Sequence, residues 1–265
     1  ALREERVSKL TLASKHLGDS GAVVLAGLVA CFKEHNKYGS ITGAYLGLEE
    51  LDLDKNSIGT TGAIAISEAL KLKRGRLHRL SLCQNAIGDL GAAAFGEAIR
   101  INTTLFTLHI SGNAISDTGA AAISEALKLA SALYIINLSN NAIGDPGAAA
   151  IGEALKLNRK LGHLILASNA IGDQGAAALG EALKLNTSLY HLDLARNAIG
   201  DLGAAALGEA LNCNPKLKDV DLCSNVISAC GQRLFDQHSK FCEVVLPSYR
   251  VLGVPNPLYL RRKQV

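Results

Sequence analysis

The chain has 265 residues, of which 48% are hydrophobic and 19% are charged, and its formal net charge is +3. An apolar share of this size permits a large core, and so weak a positive charge does not predict a nucleic-acid partner. No uninterrupted apolar run approaches about 18 residues, so the sequence predicts no membrane span. The start of the chain shows no signal-peptide pattern either.

Asparagines recur along the chain at a fixed interval, each at the end of a similar leucine-containing phrase. After a first step of 29 residues they stand 28 apart, at Asn56, Asn85, Asn113, Asn141, Asn169, Asn197 and Asn225. A fixed period of this length is typical of a solenoid in which each unit packs only against its neighbours. A degenerate first copy, with Lys15 in the asparagine position, brings the prediction to about eight repeats. The predicted strands are 10–12, 51–53, 80–82, 108–110, 136–138, 164–166, 192–194 and 220–222.

The repeated phrase has a physical interpretation, as in Leu161-x-x-Leu164-x-Leu166-x-x-Asn169. Leu164 and Leu166 alternate as in a short strand and are expected to point inward, which leaves Ile165 facing out. The asparagine side chain has a donor and an acceptor, so a buried asparagine can satisfy backbone groups where the chain leaves the strand. We therefore predict a ladder of asparagine hydrogen bonds along the stack.

A second phrase, of the form Ile-Gly-Asp-x-Gly-Ala, predicts the start of a helix in each repeat. Its aspartate stands where a helix N-cap belongs, and its negative charge suits the positive end of the helix. In one repeat Pro146 follows the aspartate, and proline is favoured at the first helical position. We therefore predict N-caps at Asp19, Asp89, Asp117, Asp145, Asp173 and Asp201.

The helix of that repeat is predicted to pack one apolar stripe inward, because Ala148, Ile151 and Leu155 recur at helical spacing. Asn158 then ends the helix, and asparagine tolerates the left-handed conformation expected there. In a later repeat Cys213 replaces the leucine of the Lys-Leu-Asn phrase. This replacement predicts an inward-facing free thiol with a packing role.

One strand and one helix in each repeat, always in the same direction, predict a parallel sheet with helices on its other side. Strands stack roughly 4.8 Å apart, whereas helix axes need about 8–10 Å. This mismatch curves the stack, with the strands on the inside. The sequence therefore predicts an α/β solenoid shaped like a horseshoe, with parallel strands on the concave face and helices on the convex face.

These phrases resemble leucine-rich repeats of the ribonuclease-inhibitor type over about nine-tenths of the chain. The wording IGDxGAxALGEALKLNxxLxxLDLxxNAIG is most similar to repeats in the C-terminal domains of NOD-like innate immune receptors. It is less similar to the repeats of Ran GTPase-activating protein. The first resemblance implies a sensing or autoinhibitory interaction domain, and the second implies a GTPase activator.

The repeats define one predicted leucine-rich repeat domain over residues 1–246, followed by an aperiodic tail at 247–265. Between the first two repeats, 13 surplus residues fall near 36–48. They are interpreted as an N-terminal cap with a longer exit from its helix, and the alternative is a binding loop. Residues 241–246 are predicted to form a final strand that covers the last repeat. Because the chain starts at Ala1 and contains no methionine, we expect it to be processed or cut from something longer.

The sequence contains no pattern that indicates a catalytic or cofactor site. The glycine-rich nucleotide motifs, the HExxH metal motif and the GxSxG nucleophile motif in its context are all missing. We therefore predict no enzymatic activity and no cofactor. Six cysteines show no CxxC pair and no framework spacing. This favours reduced thiols in the cytoplasm or another intracellular compartment.

The outward positions of the predicted strands define a candidate binding surface on the concave face. Ile135 and Ile165 are apolar there although the fold does not require it, and aromatic residues stand just before nearby strands. The alternative is that these aromatic residues only fill the rim. His163, His191 and Asp219 form a polar end, with Asp193 and Asp221 beside them. These aspartates suit a partner's lysine or arginine better than the group suits a metal ion. The candidate partner-binding residues are Phe106, His109, Tyr134, Ile135, Asn137, His163, Ile165, Tyr190, His191 and Asp193.

Three functional classes stay open at this point. The first is a protein-interaction module that binds a protein partner through its concave face, as the sensing domain of a NOD-like receptor would. The second is a structural subunit of a large multiprotein assembly, docked through the basic, proline-containing tail. The third is a GTPase activator resembling the Ran regulator. The missing catalytic motifs favour the first class.

Overall fold

The structure, a computed structural model, describes residues 8–30, 48–72, 76–129, 132–231, 242–244 and 259–262. Short strands and helices alternate through most of these residues. The strands are β1 (Lys9–Thr11), β2 (Glu50–Asp52), β3 (Arg79–Ser81), β4 (Thr107–His109), β5 (Ile135–Asn137), β6 (His163–Ile165), β7 (His191–Asp193), β8 (Asp219–Asp221), β9 (Cys242–Val244) and β10 (Tyr259–Arg262). The helices are α1 (Gly18–Ala30), α2 (Thr60–Lys71), α3 (Gly88–Ile101), α4 (Asp117–Lys128), α5 (Asp145–Leu157), α6 (Asp173–Leu185) and α7 (Asp201–Cys213).

Strands β1 to β8 pair side by side in sequence order, all parallel, in one sheet. The register follows the repeat, so that Leu164 pairs with Ile136 on one side and with Leu192 on the other. This confirms the predicted α/β solenoid, with its strands on one side and its helices on the other. No helix within the described ranges is long and apolar enough to cross a membrane.

Each of these eight strands begins and ends one residue earlier than the sequence predicted. The sixth strand, for example, was expected at 164–166 and is found at His163–Ile165. Its pairing already starts where the His163 N–H donates to the carbonyl oxygen of Tyr134 at 3.0 Å. Leu166 still donates its N–H to the carbonyl oxygen of Asp193 at 2.8 Å, but the strand has ended there. The leucine pattern marks burial, and burial continues one residue beyond the strand.

The inward positions form one continuous core, as predicted. Leu164 and Leu166 of the strand phrase are fully buried, and so are Ala148, Ile151 and Leu155 of helix α5. Each repeat contributes an equivalent set, so apolar side chains of the sheet pack on those of the helices along the whole stack. Burial of this surface is the main term that stabilises the fold.

The asparagine ladder is confirmed in its atomic detail. The Asn169 side chain donates from Nδ2 to the carbonyl oxygens of Leu138 and Leu166, at 3.1 and 3.0 Å. Its Oδ1 accepts the backbone N–H of Ile143, in the preceding repeat, at 3.1 Å. One side chain therefore joins two repeats and satisfies backbone groups that the strand-to-helix turn leaves without partners.

The predicted aspartate N-caps are wrong in one respect, because each aspartate caps the next helix and not its own. Asp173 is the first residue of α6, and the N-cap position is held by Gly172, whose side chain offers no acceptor. The Oδ1 of Asp173 instead accepts the N–H groups of Gly200 and Gly203, at 2.7 and 2.8 Å, at the start of α7. Pro146 likewise lies one place later than predicted, as the second residue of α5. The same bond between repeats is made by Asp19, Asp89, Asp117, Asp145 and Asp201.

The series of aspartate hydrogen bonds between repeats is interrupted between α2 and α3, because Thr60 stands in place of the aspartate. The Thr60 hydroxyl donates to the carbonyl oxygen of Ile87 at 3.0 Å and offers the next helix no carboxylate. Gly88 then takes a left-handed conformation, with φ of 63°, and donates its N–H to the carbonyl oxygen of Asn113 at 3.0 Å. Gly18, at the start of the first helix, has the same conformation. Glycine allows this change because it has no Cβ.

Two expectations for the end of the helix are wrong. Asn158 is extended, with φ of −67° and ψ of 133°, and its buried side chain donates to the carbonyl oxygen of Leu127 at 2.8 Å. It thus belongs to a second, buried asparagine column that links repeats. Leu157 and Leu185 of the Lys-Leu-Asn phrase are exposed, and so is Cys213 at the same position. The helix ends there, and the asparagine, not the residue before it, turns inward.

The C-terminal end of the sheet is also built differently from the prediction. A strand does form at Cys242–Val244, inside the predicted range 241–246, but it does not lie against the last repeat. Strand β10, from the tail that was predicted to be aperiodic, lies between β8 and β9 and is antiparallel to both. The surplus segment near 36–48 lies outside the described residues except for Leu48.

Candidate functional site

The concave face presents its side chains in columns, because every strand from β1 to β8 has the same length and register. One column runs through Ile135, His163, His191 and Asp219, which pair in sequence on β5 to β8. A second column, two residues along each strand, runs through Asn137, Ile165, Asp193 and Asp221. Neighbouring residues in a column are held about 4.8 Å apart by the strand spacing.

Aromatic rings form a connected row along the rim where the strands begin. Phe106 and Tyr134 stack with ring centroids 4.9 Å apart, and Tyr134 meets His163 edge-on at 5.3 Å. His163 lies 6.0 Å from Tyr190 and 5.7 Å from His191. We call Phe106, Tyr134, His163, Tyr190 and His191 the aromatic row. Phe106 and Tyr190 are 46% and 44% exposed, so the row offers flat apolar surface to a partner.

Gly162 explains how Tyr134 reaches His163. The residue before each strand is Phe106, Tyr134, Gly162 and Tyr190 in four successive repeats. A Cβ at Gly162 would lie 2.2 Å from Cζ of Tyr134, so the tyrosine ring occupies the place that a side chain would take. The missing side chain therefore lets Tyr134 lie over the next repeat.

The polar end of the site is organised by a hydrogen bond between His191 and Asp219. Nδ1 of His191 lies 2.9 Å from Oδ2 of Asp219, and the aspartate is 8% exposed. Burial alone lowers the pKa of His191, but the hydrogen bond to Asp219 and the charges of Asp193 and Asp221 outweigh it and raise the pKa. His191 therefore holds a proton more readily than an ordinary histidine.

The pKa values of the other two histidines of the predicted site are shifted in the opposite direction. Burial and the nearby His191 lower the pKa of His163, against a smaller opposing effect of Asp219. Burial and the charge of Arg79 lower the pKa of His109. Both shifts favour the neutral imidazole, which suits apolar and aromatic contacts.

Asp193 and Asp221 are fixed by their own backbones. Oδ1 of Asp193 accepts the N–H of Ala195 at 3.0 Å, and Oδ1 of Asp221 accepts the N–H of Cys223 at 2.8 Å. Burial and the charge of Asp221 raise the pKa of Asp193, because two carboxylates in one column repel each other. Together with Asp219 they form what we call the acidic patch.

A groove of about 510 Å³ continues the aromatic row at its other end. Phe106 forms part of its wall, and Thr103, Thr104 and Ala132 also line it. Charged groups from β2 and β3 complete it, including Glu50 and Arg79. The rim therefore offers one surface from this groove, across the rings, to the acidic patch.

The structure brings the ten predicted site residues together on β4 to β7 and just before these strands. Five of them form the aromatic row. Ile135, Asn137, Ile165 and Asp193 occupy the two columns beside it, and His109 pairs with Asn137 in the register.

Sequence reasoning missed Gly162 and the groove residues Thr103, Thr104 and Ala132. Aligning the repeats would have revealed Gly162, because its neighbours at that position are aromatic. No periodic signal marks the groove residues.

The described residues offer little for metal or thiol chemistry. They contain no group of three or more histidine, cysteine, aspartate and glutamate side chains arranged to hold a metal ion. Cys83, Cys213, Cys223 and Cys230 form no disulfide. Burial and the neighbouring Asp221 raise the pKa of Cys223 strongly, so this thiol stays protonated and is a poor nucleophile.

Solved structures of other proteins match this chain at low identity. An internalin from Listeria monocytogenes is 24% identical, with a TM-score of 0.47, over 74% of this chain and 47% of its own. This chain thus spans about half of that internalin's length. The actin-binding site 2 of leiomodin-1 is 18% identical, with a TM-score of 0.42, over 68% of this chain and 87% of its own. The tropomodulin C-terminal domain from Caenorhabditis elegans is 18% identical, with a TM-score of 0.45, over 56% of this chain and 91% of its own.

A family model describes the repeats themselves. No curated protein sequence matches the chain. The model described as "Leucine Rich repeat", however, matches residues 48–67, 102–124, 133–152, 157–180 and 185–208. These five segments lie within the strand-and-helix units described above. These five segments of the chain are therefore identified as leucine-rich repeats.

Proposed function

We propose that this chain is a non-enzymatic protein-interaction module that binds a protein partner through its concave face. The observation that carries the proposal is the aromatic row, a set of rings in mutual contact whose two most exposed members are Phe106 and Tyr190. Exposed aromatic side chains on a rigid support bind at a small entropic cost and are common anchors of interfaces.

The centre of the proposed interface lies around Ile165. This side chain is half-buried between Asn137 and Asp193 in its column, with the aromatic row on one side. An apolar centre with polar groups around it is the usual arrangement of a protein interface. The proposed partner-binding residues are Phe106, His109, Tyr134, Ile135, Asn137, His163, Ile165, Tyr190, His191 and Asp193.

The test uses a double variant, Ile165→Asp with Tyr190→Ala, as bait for partners beside the wild type. A partner that binds the concave face should be lost, because truncation of a central anchor costs about 2 kcal/mol or more. The matched control is Leu157→Asp, which places the same charge on an exposed residue at the end of α5. If the double variant and the control retain the partner equally, the concave face is not the site.

The resemblance of the repeats favours a more specific form of this function, the sensing domain of a NOD-like receptor. A second candidate is a structural subunit docked in a large assembly through residues 247–265. It is favoured by the tail's Arg261 and Arg262, which lie in β10, between β8 and β9. Since deletion of the tail would also uncover β8, reversal of these two charges is the better test. A GTPase-activation assay separates the third class, an activator resembling the Ran regulator.

A further inference from the structure

The strands of the concave face have the opposite charge balance to the chain as a whole. The chain carries a net charge of +3. We consider the two outward positions of each strand from β1 to β8, together with the position two residues after the strand ends. Only two of these positions hold a lysine or arginine, namely Lys9 and Arg79. Lys9 is already paired with Glu50, at 3.1 Å. The carboxylates at these positions are Glu50, Asp52, Asp54, Asp193, Asp219 and Asp221.

The carboxylates of β7 and β8 lie beside the exposed end of the aromatic row. The partner contacts are assigned to Asp193 and Asp221, because Asp219 is 8% exposed and already bonded to His191. Within the described ranges no lysine or arginine forms an ion pair with either of these two. One oxygen of each accepts a backbone N–H, which fixes the carboxylate on the concave face. Tyr190 directly precedes β7 and is 44% exposed, and Asp193 lies three residues further along the same strand, with Asp221 beside it on β8.

This combination matches the guanidinium group of arginine. Guanidinium is planar, always charged and weakly hydrated, so it can stack on an aromatic ring while its N–H groups donate to carboxylates. An ammonium group can make the charge contact but is compact and strongly hydrated, so it gains less from the ring. The surface therefore distinguishes arginine from lysine.

We propose that the partner of this face is an extended protein segment whose arginine side chains bind Asp193 and Asp221 and stack on Tyr190. The proposal rests on the proposed function and adds the chemistry of the partner. From the acidic patch the segment runs across the aromatic row to the groove beside Phe106. The four strand spacings from β4 to β8 amount to about 19 Å, which about six extended residues span.

The probe is a fluorescein-labelled peptide of six arginines, compared by fluorescence anisotropy with peptides of six lysines and of six glutamates. The arginine peptide should bind at least about threefold more tightly than the lysine peptide, because guanidinium gains more from the ring. The glutamate peptide should not bind. Tyr190→Ala should remove most of the difference between arginine and lysine.

A pair of double variants separates a specific site from general charge attraction. Asp193→Asn with Asp221→Asn should weaken binding of the arginine peptide about tenfold, since the fixed carboxylates are lost while their shape is kept. Glu153→Gln with Glu181→Gln makes the same change in net charge on the helical side, where both glutamates pair with lysines. This control should change the affinity less than about twofold.

Three outcomes overturn the proposal. They are equal weakening by the two double variants, equal affinity for the arginine and lysine peptides, and a failure of the arginine peptide to bind. Circular dichroism shows whether each variant is folded. Asparagine at positions 193 and 221 is close enough in shape to aspartate to keep the bonds to the backbone N–H groups. If any of these occurs while Ile165→Asp with Tyr190→Ala still abolishes capture of a protein partner, the arginine chemistry is wrong and the concave-face function stands. If capture is also unaffected, both fail.

Discussion

Asp173 of one repeat accepts the N–H of Gly200 at the start of the next helix, at 2.7 Å. The same oxygen accepts the N–H of Gly203 at 2.8 Å, so one carboxylate satisfies two of the donors that the N-terminus of α7 leaves without helical partners. A Cβ at Gly203 would lie 2.8 Å from this oxygen, which explains the glycine in the repeated phrase. Neighbouring repeats are thus joined by polar bonds as well as by the core.

The first prediction concerns this bond. Asp173→Ala should lower the free energy of unfolding by about 1–2 kcal/mol, because the two N–H groups lose their acceptor and the start of the helix loses its counter-charge. A denaturant titration followed by circular dichroism measures the change. Gln174→Ala, one residue along on the exposed side, is the matched control and should change little. Equal effects of the two substitutions would mean that the bond contributes nothing.

The second prediction uses the interruption at Thr60. Thr60→Asp should supply the missing carboxylate and stabilise the junction of α2 and α3 by about 1 kcal/mol. Gly88 would then leave its left-handed conformation for the extended one seen at Gly200. Gly88→Ala should therefore cost about 1 kcal/mol in the wild type, where φ is positive, and less in the Thr60→Asp background.

Unfolding free energies of the wild type, both single variants and the double variant complete this cycle. In the wild type space does not limit the alanine, because the nearest atom to a Cβ at Gly88 is Oγ1 of Thr60 at 3.9 Å. At Gly200, the extended counterpart, a Cβ would lie 3.0 Å from Oδ2 of Asp173, so the carboxylate of the double variant must shift slightly to accommodate the alanine. Additive effects would show that the aspartate and the glycine conformation are independent.

The third prediction tests the asparagine ladder. Nδ2 of Asn141 donates to the carbonyl oxygen of Leu138 at 2.9 Å, and Oδ1 accepts the N–H groups of Asn113 and Ile115 at 2.9 and 3.0 Å. Asn141→Ala leaves these backbone groups without partners and should cost about 1–3 kcal/mol. Glu153→Ala removes only a surface ion pair and should cost little. A denaturant titration that gives equal losses for both would contradict the ladder's role.

The fourth prediction concerns the support of Tyr134. Gly162→Ala places a Cβ where the tyrosine ring lies, so the ring must move away from the stack with Phe106. The near-ultraviolet circular dichroism should change, and affinity for a concave-face partner should fall about tenfold. Gly27→Ala is the control, since no atom lies within 4 Å of the added Cβ. An unchanged spectrum for Gly162→Ala would show that the ring does not depend on the glycine.

The fifth prediction is the pH dependence of His191. Asp219→Asn should lower the pKa of this histidine, because burial would then act without the hydrogen bond that opposes it. The raised pKa in the wild type stabilises the fold fully below the unfolded value of about 6.5, and this contribution is lost as the pH rises through the folded value. The difference in unfolding free energy between wild type and variant should therefore be larger at acidic than at alkaline pH.

A nuclear magnetic resonance titration of the imidazole signals measures this pKa directly, with His191→Gln to assign the signal. Asp193, Asp221 and His163 also act on the ring, so their charges remain in the variant. An unchanged pKa in Asp219→Asn would assign the shift to Asp193 and Asp221 instead.

The residue pattern alone was enough to predict the solenoid, its core and its asparagine ladder. These features depend on contacts that recur at the repeat period, such as Leu164 on its neighbours and Asn169 on the turn before it. Such contacts can be predicted from the sequence, because each repeat packs in the same way and therefore needs the same residue types at the same positions. The outward columns followed from the same register, so the candidate site residues could be placed in one surface.

The pattern did not predict which repeat each polar side chain bonds to, because this depends on how neighbouring repeats pack. Asp173 has the position of a cap for its own helix, and nothing local distinguishes that helix from the next one. Its carboxylate reaches the next repeat because the stack places the start of the following helix within reach of this side chain. Asn158 turns inward and Leu157 outward for the same reason, since the buried acceptor, Leu127, belongs to another repeat. The position of the Tyr134 ring over Gly162 and the position of β10 likewise depend on contacts that occur once and do not recur in each repeat. The spacing of residues in the sequence therefore does not predict them.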